Sequence, residues 1–281
     1  MSMMMDTVAS RSRSTYNARR LATIAGTGLA AGLALGVATL GGVLAAQVSS
    51  AKRRPMVDPR TAPEVGGSGG TDSATRIKFA LLGDSLAISV GAHKVEDSLG
   101  GRIGQGIVNA GYKVDVTSVA VANSRTSDVR IQVSRALITS EDDPYDVALI
   151  VVGSLDSTSW GSISEISRAM LRAVSSLRSG GVQVVVATAP DLGAVRCVGA
   201  PLRTLWSWRS RKIAAAQAAA AEDAGATVIN LAEELGPLFR ADPGTICPDG
   251  FHPSPDGYRL IAERLIPAIR SACERSTKSR A

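Results

Sequence analysis

A three-layer α/β/α sandwich around a five-stranded parallel sheet is the fold class that this 281-residue sequence predicts. Three observations carry that expectation. From residue 74 onward, short apolar runs alternate with longer helical patterns, the signature of βαβ units with right-handed crossovers. The first run, Arg76 to Leu82, is apolar enough to be buried on both faces of a sheet. A flavodoxin-like strand order, 2-1-3-4-5, then puts that run near the centre. Its carboxyl end falls at the switch point where open α/β sheets place their chemistry.

Taken in order, residues 1–20 form a polar, basic segment with Arg11, Arg13, Arg19 and Arg20. Residues 21–48 run without a charge and are rich in Ala, Gly and Leu. That length exceeds a signal-peptide core of about 7–15 residues and suits a tilted span of about 20 or more. The expectation is a single N-terminal membrane anchor with the domain outside the cytoplasm. Small residues at Ser49-Ser50-Ala51 leave a cleaved signal, and hence secretion, as the alternative. Residues 49–73, with Pro55, Pro59, Pro63 and Gly66-Gly67-Ser68-Gly69-Gly70, read as a linker.

The domain proper is expected over 74–275, followed by a polar tail at 276–281. Its strands are Arg76–Leu82, Lys113–Val119, Tyr145–Val152, Val182–Ala187 and Thr227–Asn230. Helical patterns lie between them, at Leu86–Ala110 (broken by glycines), Ser127–Ile138, Ser162–Arg178 and Pro201–Ala224, with a final helix at Pro255–Glu274. Gly100-Gly101-Arg102-Ile103-Gly104 does not follow a strand. It is read as a loop, not a dinucleotide-binding turn.

Charge excludes one class of partner. Residues 1–60 hold eight basic and two acidic residues, whereas residues 61–281 hold 23 of each sign. The net charge of +6 therefore belongs to the anchor end, and a phosphate-tracking surface for nucleic acid is not expected. Three cysteines and two histidines, with no Cys-x-x-Cys, are too few for a zinc constellation. Cys197 and Cys247 both fall in loops. In an extracytoplasmic domain they are candidates for a disulfide, with Cys273 left over; three free thiols are the alternative.

The chemistry is concentrated at the two ends of the domain. Gly83-Asp84-Ser85-Leu86 follows the first strand, so Ser85 is the candidate nucleophile. A serine hydroxyl needs an adjacent base at neutral pH, and histidine suits the task because its ordinary pKa lies near 6.5. Cys247-Pro248-Asp249-Gly250-Phe251-His252-Pro253 precedes the last helix, so one rigid turn supplies both a base and a carboxylate to orient it. The other histidine, His93, has no strand end or turn to aim it and is read as a surface residue.

Together, Gly-Asp-Ser-Leu after the first strand and Asp-x-x-His before the last helix resemble the GDSL (SGNH) hydrolase family, in a membrane-anchored or exported form of actinobacterial type. The resemblance spans roughly residues 74–275. It implies Ser85 as nucleophile, His252 as general base and Asp249 as its partner, with no cofactor and no metal. It also implies an oxyanion hole at Ser85, at the position matched by Asn123, and in the third block at Gly153. There Gly153-Ser154-Leu155-Asp156 carries Leu155 where the family has an oxyanion-donating asparagine. Either the Asn123 amide replaces that donor, or backbone N–H groups at Ser85 and at Asn123 or Ser124 form the hole alone. Asp84, Ser124, Leu155 and Trp160 are candidate substrate contacts, along with the loop from Pro190 to Cys197.

The resulting expectation is a monomeric serine esterase of the cell envelope, acting on short-chain acyl esters of lipids or glycans. An O-acyltransferase or deacetylase of envelope glycans is the first alternative, and a non-catalytic envelope-binding module is the second.

Overall fold

The structure, a computed structural model, describes residues 39–140 and 143–280. The chain divides into two compact units, Met1–Arg53 and Arg54–Ala281. In the first, residues 39–52 are helical (α1). The basic segment 1–20 and most of the charge-free run 21–48 lie outside the described residues. Among the described residues no helix is long and apolar enough to cross a membrane.

The second unit is built on a six-stranded sheet with helices around it, three of them short: α4 (Ser154–Thr158), α7 (Leu231–Glu234) and α8 (Gly236–Ala241). Five strands are parallel: β2 (Arg76–Gly83), β3 (Lys113–Ser118), β4 (Val147–Val151), β5 (Gln183–Ala187) and β6 (Thr227–Ile229). With β1 (Gly66–Gly69) the sheet order is β1-β3-β2-β4-β5-β6, so the parallel part has the expected 2-1-3-4-5 arrangement. The chain leaves β2 for β3 on one side and returns to β4 on the other, which makes the carboxyl end of β2 the switch point.

The sixth strand corrects the reading of residues 49–73 as a linker. β1 (Gly66–Gly69) pairs antiparallel with β3, Gly66 opposite Thr117 and Gly69 opposite Val114. Without it the outer edge of β3 would be an unpaired row of backbone donors and acceptors. The Ser68 hydroxyl bonds Asp115, and Lys113 pairs with Asp72 at 2.7 Å.

Alternation along β2 builds the three layers. Ile77, Phe79 and Leu81 face a core shared with Leu99, Ile103 and Ile107 of α2 (Leu99–Asn109) and with Ile261, Leu265 and Ile269 of α9 (Pro255–Arg280). Ala80 and Leu82 face the opposite core. There they meet Val129 and Val133 of α3 (Val129–Thr139), Met170, Val174 and Leu177 of α5 (Ile163–Ser179), and Ala220 and Ala221 of α6 (Leu202–Asp223).

Two further stretches differ from the sequence reading. Gly100 to Gly104 lie inside α2, not in a loop. Their missing side chains let the helix approach its neighbours: Val65 and Leu81 crowd Gly100, and Val116 crowds Gly104. That close packing offsets the low helix propensity of glycine. Residues 276–280 continue α9 instead of forming a tail. The buried Asp146 carboxylate holds them there, accepting from Ser276 Oγ at 2.6 Å and pairing with Arg280 at 2.8 Å.

Candidate active site

Gly83 ends β2 at φ +140°, where a Cβ would lie 1.8 Å from the Val151 carbonyl oxygen. Only glycine fits there. Gln132, reaching over from α3, satisfies Gly83 on both sides: its Oε1 accepts from the Gly83 N–H at 2.7 Å and its Nε2 donates to the Gly83 carbonyl at 2.9 Å. The chain then turns sharply. Asp84 is buried and its carboxylate accepts from three backbone N–H groups, those of Leu86 at 2.9 Å, Gly153 at 3.2 Å and Ser154 at 3.2 Å. Burial pushes its carboxyl above the ordinary range, against the pull of those hydrogen bonds. Asp84 thus ties the strand β2 end to the strand β4 end, with Ser85 standing between them. Ser85 Oγ accepts from the Asn123 N–H at 3.3 Å, and Asn123 adopts φ +58°, a conformation that asparagine tolerates better than most residues.

The base stands on the turn before α9. Asp249 Oδ1 accepts from the N–H groups of Phe251 at 2.8 Å and His252 at 3.0 Å, and His252 Nδ1 lies 2.6 Å from Asp249 Oδ2. Gly250, at φ +73°, bends the turn, and its carbonyl accepts from the N–H groups of Arg196 and Cys197. Burial pushes the Asp249 carboxyl up. The hydrogen bonds from the His252 ring and from the Phe251, His252 and Val57 N–H groups outweigh it and bring the pKa down to about 2. The carboxylate is therefore ionised at neutral pH, and the Nδ1–H that it fixes leaves Nε2 free to take a proton.

Ser85 and His252 line one cleft. Ser85 Oγ makes no hydrogen bond with the imidazole among the described residues; bonds of this kind commonly tighten only when substrate enters. The remaining walls are largely apolar, from Leu192, Leu231, Leu235, Phe239, Phe251 and Ile261. Asp191, in the rim loop after β5, accepts from Gly193 N–H at 2.7 Å and from Ser207 Oγ at 2.8 Å and pairs with Arg240, which fixes that loop in place.

Several expected contacts fall elsewhere. The Gly153 N–H is turned to the Asp84 carboxylate. Ser124 is buried, with its hydroxyl accepting from Gln132 Nε2 at 3.1 Å. Leu155 and Trp160 do not line the cleft. Trp160 is 76% exposed and sits under the Arg209 guanidinium, 5.6 Å from ring centroid to carbon. Asp84 acts as a tie behind the nucleophile, with no wall of the cleft. Asn123 reaches Ser85 through its backbone N–H, not through its side-chain amide. Cys197 and Cys247 are both free, as is Cys273. The Cys247 thiol is turned toward the Pro253 and Gly91 carbonyls, at 3.2 and 3.7 Å. His93 is exposed, as expected.

Sequence reasoning missed Ser154 and the apolar lining between residues 231 and 246. The signal for the latter was its place after β6, where carboxyl-end loops build binding walls.

A model of the GDSL-like lipase/acylhydrolase family matches residues 81–260. A GDSL-like esterase from Mycobacterium tuberculosis is 32% identical over 198 residues, covering 70% of this chain and 62% of that protein. The chain therefore spans less than two thirds of that relative. Among solved structures, a lipase/acylhydrolase from Enterococcus faecalis aligns with a TM-score of 0.55 at 18% identity, covering 69% of this chain and 96% of its own. The esterase EstA from Pseudoalteromonas, inhibited by monoethylphosphonate, aligns at 0.52 and 13% identity, over 69% of this chain and 97% of its own. Both share the fold.

Proposed function

This chain belongs to the GDSL-like lipase/acylhydrolase family, and from that premise we propose that it is a serine esterase working through an acyl-enzyme on Ser85. The observation that carries the reading is the shared cleft: Ser85 and His252 line it together, while Asp249 holds the far side of the imidazole. Ser85 Oγ attacks the ester carbonyl as His252 Nε2 takes its proton. The tetrahedral oxygen is met by the backbone N–H groups of Ser85 and Asn123. Collapse of the intermediate expels the alcohol, which receives the proton from His252. Water, activated by the same imidazole, then releases the acid and frees Ser85.

The acyl chain occupies the apolar cleft, which suits a short or medium chain. Leu155 in place of a side-chain donor means that the hole rests on backbone groups, and a slow enzyme follows from one donor fewer. The charge-free run at 21–48 serves as the membrane anchor, with the catalytic unit outside the cytoplasm. Membrane fractionation of the intact chain tests that placement.

The activity is tested with the full chain and its Ser85→Ala variant on p-nitrophenyl acetate, butyrate, octanoate and palmitate. Turnover by the wild type, with butyrate or octanoate preferred over palmitate, is expected, together with a loss of about 10⁶-fold in the variant. Equal turnover by both folded proteins would overturn the assignment of Ser85.

A further inference from the structure

The family match begins at residue 81, yet one of the donors to the Asp249 carboxylate comes from well before it. The Val57 backbone N–H lies 3.2 Å from Asp249 Oδ2, the same oxygen that faces His252 Nδ1. The two residues are separated by 192 positions in the chain. We propose that residues 54–65 form a strap over the catalytic turn and that Val57 is a positioning residue, acting through its main chain on Asp249 and thereby on His252.

Three features make the segment fit for that role. Its far end is fixed, since Val65 packs against the main core and over Gly100, and β1 follows immediately in the sheet. The span between Val57 and Val65 is stiffened by Pro59 and Pro63, which lowers the entropy lost on ordering it. A local turn sets its direction: Asp58 accepts from the Arg60 N–H at 3.0 Å, and Thr61 Oγ1 donates to the Asp58 carbonyl at 2.8 Å.

With Val57 in place, Asp249 Oδ2 receives a donor from outside the turn while Oδ1 is held by the turn itself. The carboxylate is thereby fixed at both oxygens, and the imidazole it carries is held in the plane that points Nε2 into the cleft. Without the strap, Oδ2 keeps only the histidine, and the pair can swing about the Asp249 side-chain torsions.

The inference rests on the esterase reading for its kinetic consequence but not for its structural one, so the test has two arms. In the full chain, Val57→Pro removes the N–H and Val57→Ala keeps it. With p-nitrophenyl butyrate, Val57→Pro is expected to lower kcat about 10-fold with KM changed less than about 2-fold, the pattern of a misaligned catalytic group. Val57→Ala restores kcat to the wild-type value. In the proton NMR spectrum, the far-downfield imidazole proton shared by His252 and Asp249 shifts in the proline variant and stays in place in the alanine variant.

A proline variant with wild-type kcat and an unmoved proton overturns the proposal, as does an alanine variant that loses as much as proline. Should Val57→Pro fail to fold, an amide-to-ester replacement at Val57, which puts an ester oxygen where the N–H stood, removes the same donor with the side chain and β1 intact. The same kcat loss is then expected, and wild-type kcat overturns the proposal. If the wild type hydrolyses no ester, the esterase reading fails while the NMR arm still decides the strap.

Discussion

Ser85 stands at the end of a strand with its last five residues buried, and everything that aims it is packed against the sheet. His252 stands in an irregular turn that closes mainly on itself, through one aspartate and a few backbone N–H groups. The first arm is positioned by the strand ends, the second by the hydrogen bonds gathered on one carboxylate. Mutations in the two arms should therefore fail differently: the nucleophile arm loses stability, and the base arm loses chemistry while the fold survives.

The largest expected separation comes from Asp249→Asn. The amide oxygen still accepts from the Phe251 and His252 N–H groups, so the turn holds. The side chain no longer selects the tautomer with Nδ1–H, and kcat should fall by about 10⁴-fold, with a loss of stability smaller than that of Gly83→Ala below. Steady-state kinetics beside a melting curve check both halves; a large drop in melting temperature would erase the contrast between the arms.

Gly83→Ala is the opposite case. A methyl group 1.8 Å from the Val151 carbonyl, at φ +140°, displaces strand β2 or β4. The expected cost is about 3 kcal/mol or more in unfolding free energy, read from denaturant titration. A variant as stable as wild type would mean that the strand end is not the rigid platform described.

The smallest effect is on acid stability. The folded Asp249 carboxyl sits near 2, below its ordinary 3.8, so the folded state holds its proton less tightly than the unfolded chain. The stability this contributes is complete above about pH 4 and lost as pH falls toward 2. Melting temperatures measured across that window should fall less steeply for Asp249→Asn than for wild type, and parallel curves would contradict the hydrogen-bond account of the turn.

What could be read from the sequence, and what could not, divides along the same lines. β2, β4 and β5 were legible because buried parallel strands are continuous apolar runs, and the part-buried β3 and β6 by their place between helical patterns. Strand order put Ser85 at the switch point, and the order of the two motifs joined it to the turn of Asp249 and His252, because side-chain chemistry is written in residue identity. Backbone chemistry is not. Nothing in the identity of Val57 marks its N–H as a donor to Asp249, and nothing in Gly153 says that its N–H is taken by Asp84. The glycines of α2 read as a break because their helix depends on partners, Val65 and Val116, distant in sequence. β1 read as linker for a related reason: a Gly-Ser run forms a strand only when an open edge is beside it. Trp160, a candidate substrate contact in the sequence, has its ring held out at the surface beside Arg209.

The most direct test of the two-armed site is covalent labelling. The intact protein is treated with a fluorophosphonate probe, digested, and its peptides mapped by mass spectrometry, with the His252→Ala variant treated alongside. The expected result is one adduct, on Ser85, formed rapidly in the wild type and far more slowly without the imidazole. An adduct on another residue, or equal labelling rates in the two folded proteins, would contradict a nucleophile at the end of β2 activated by a base on the turn before α9.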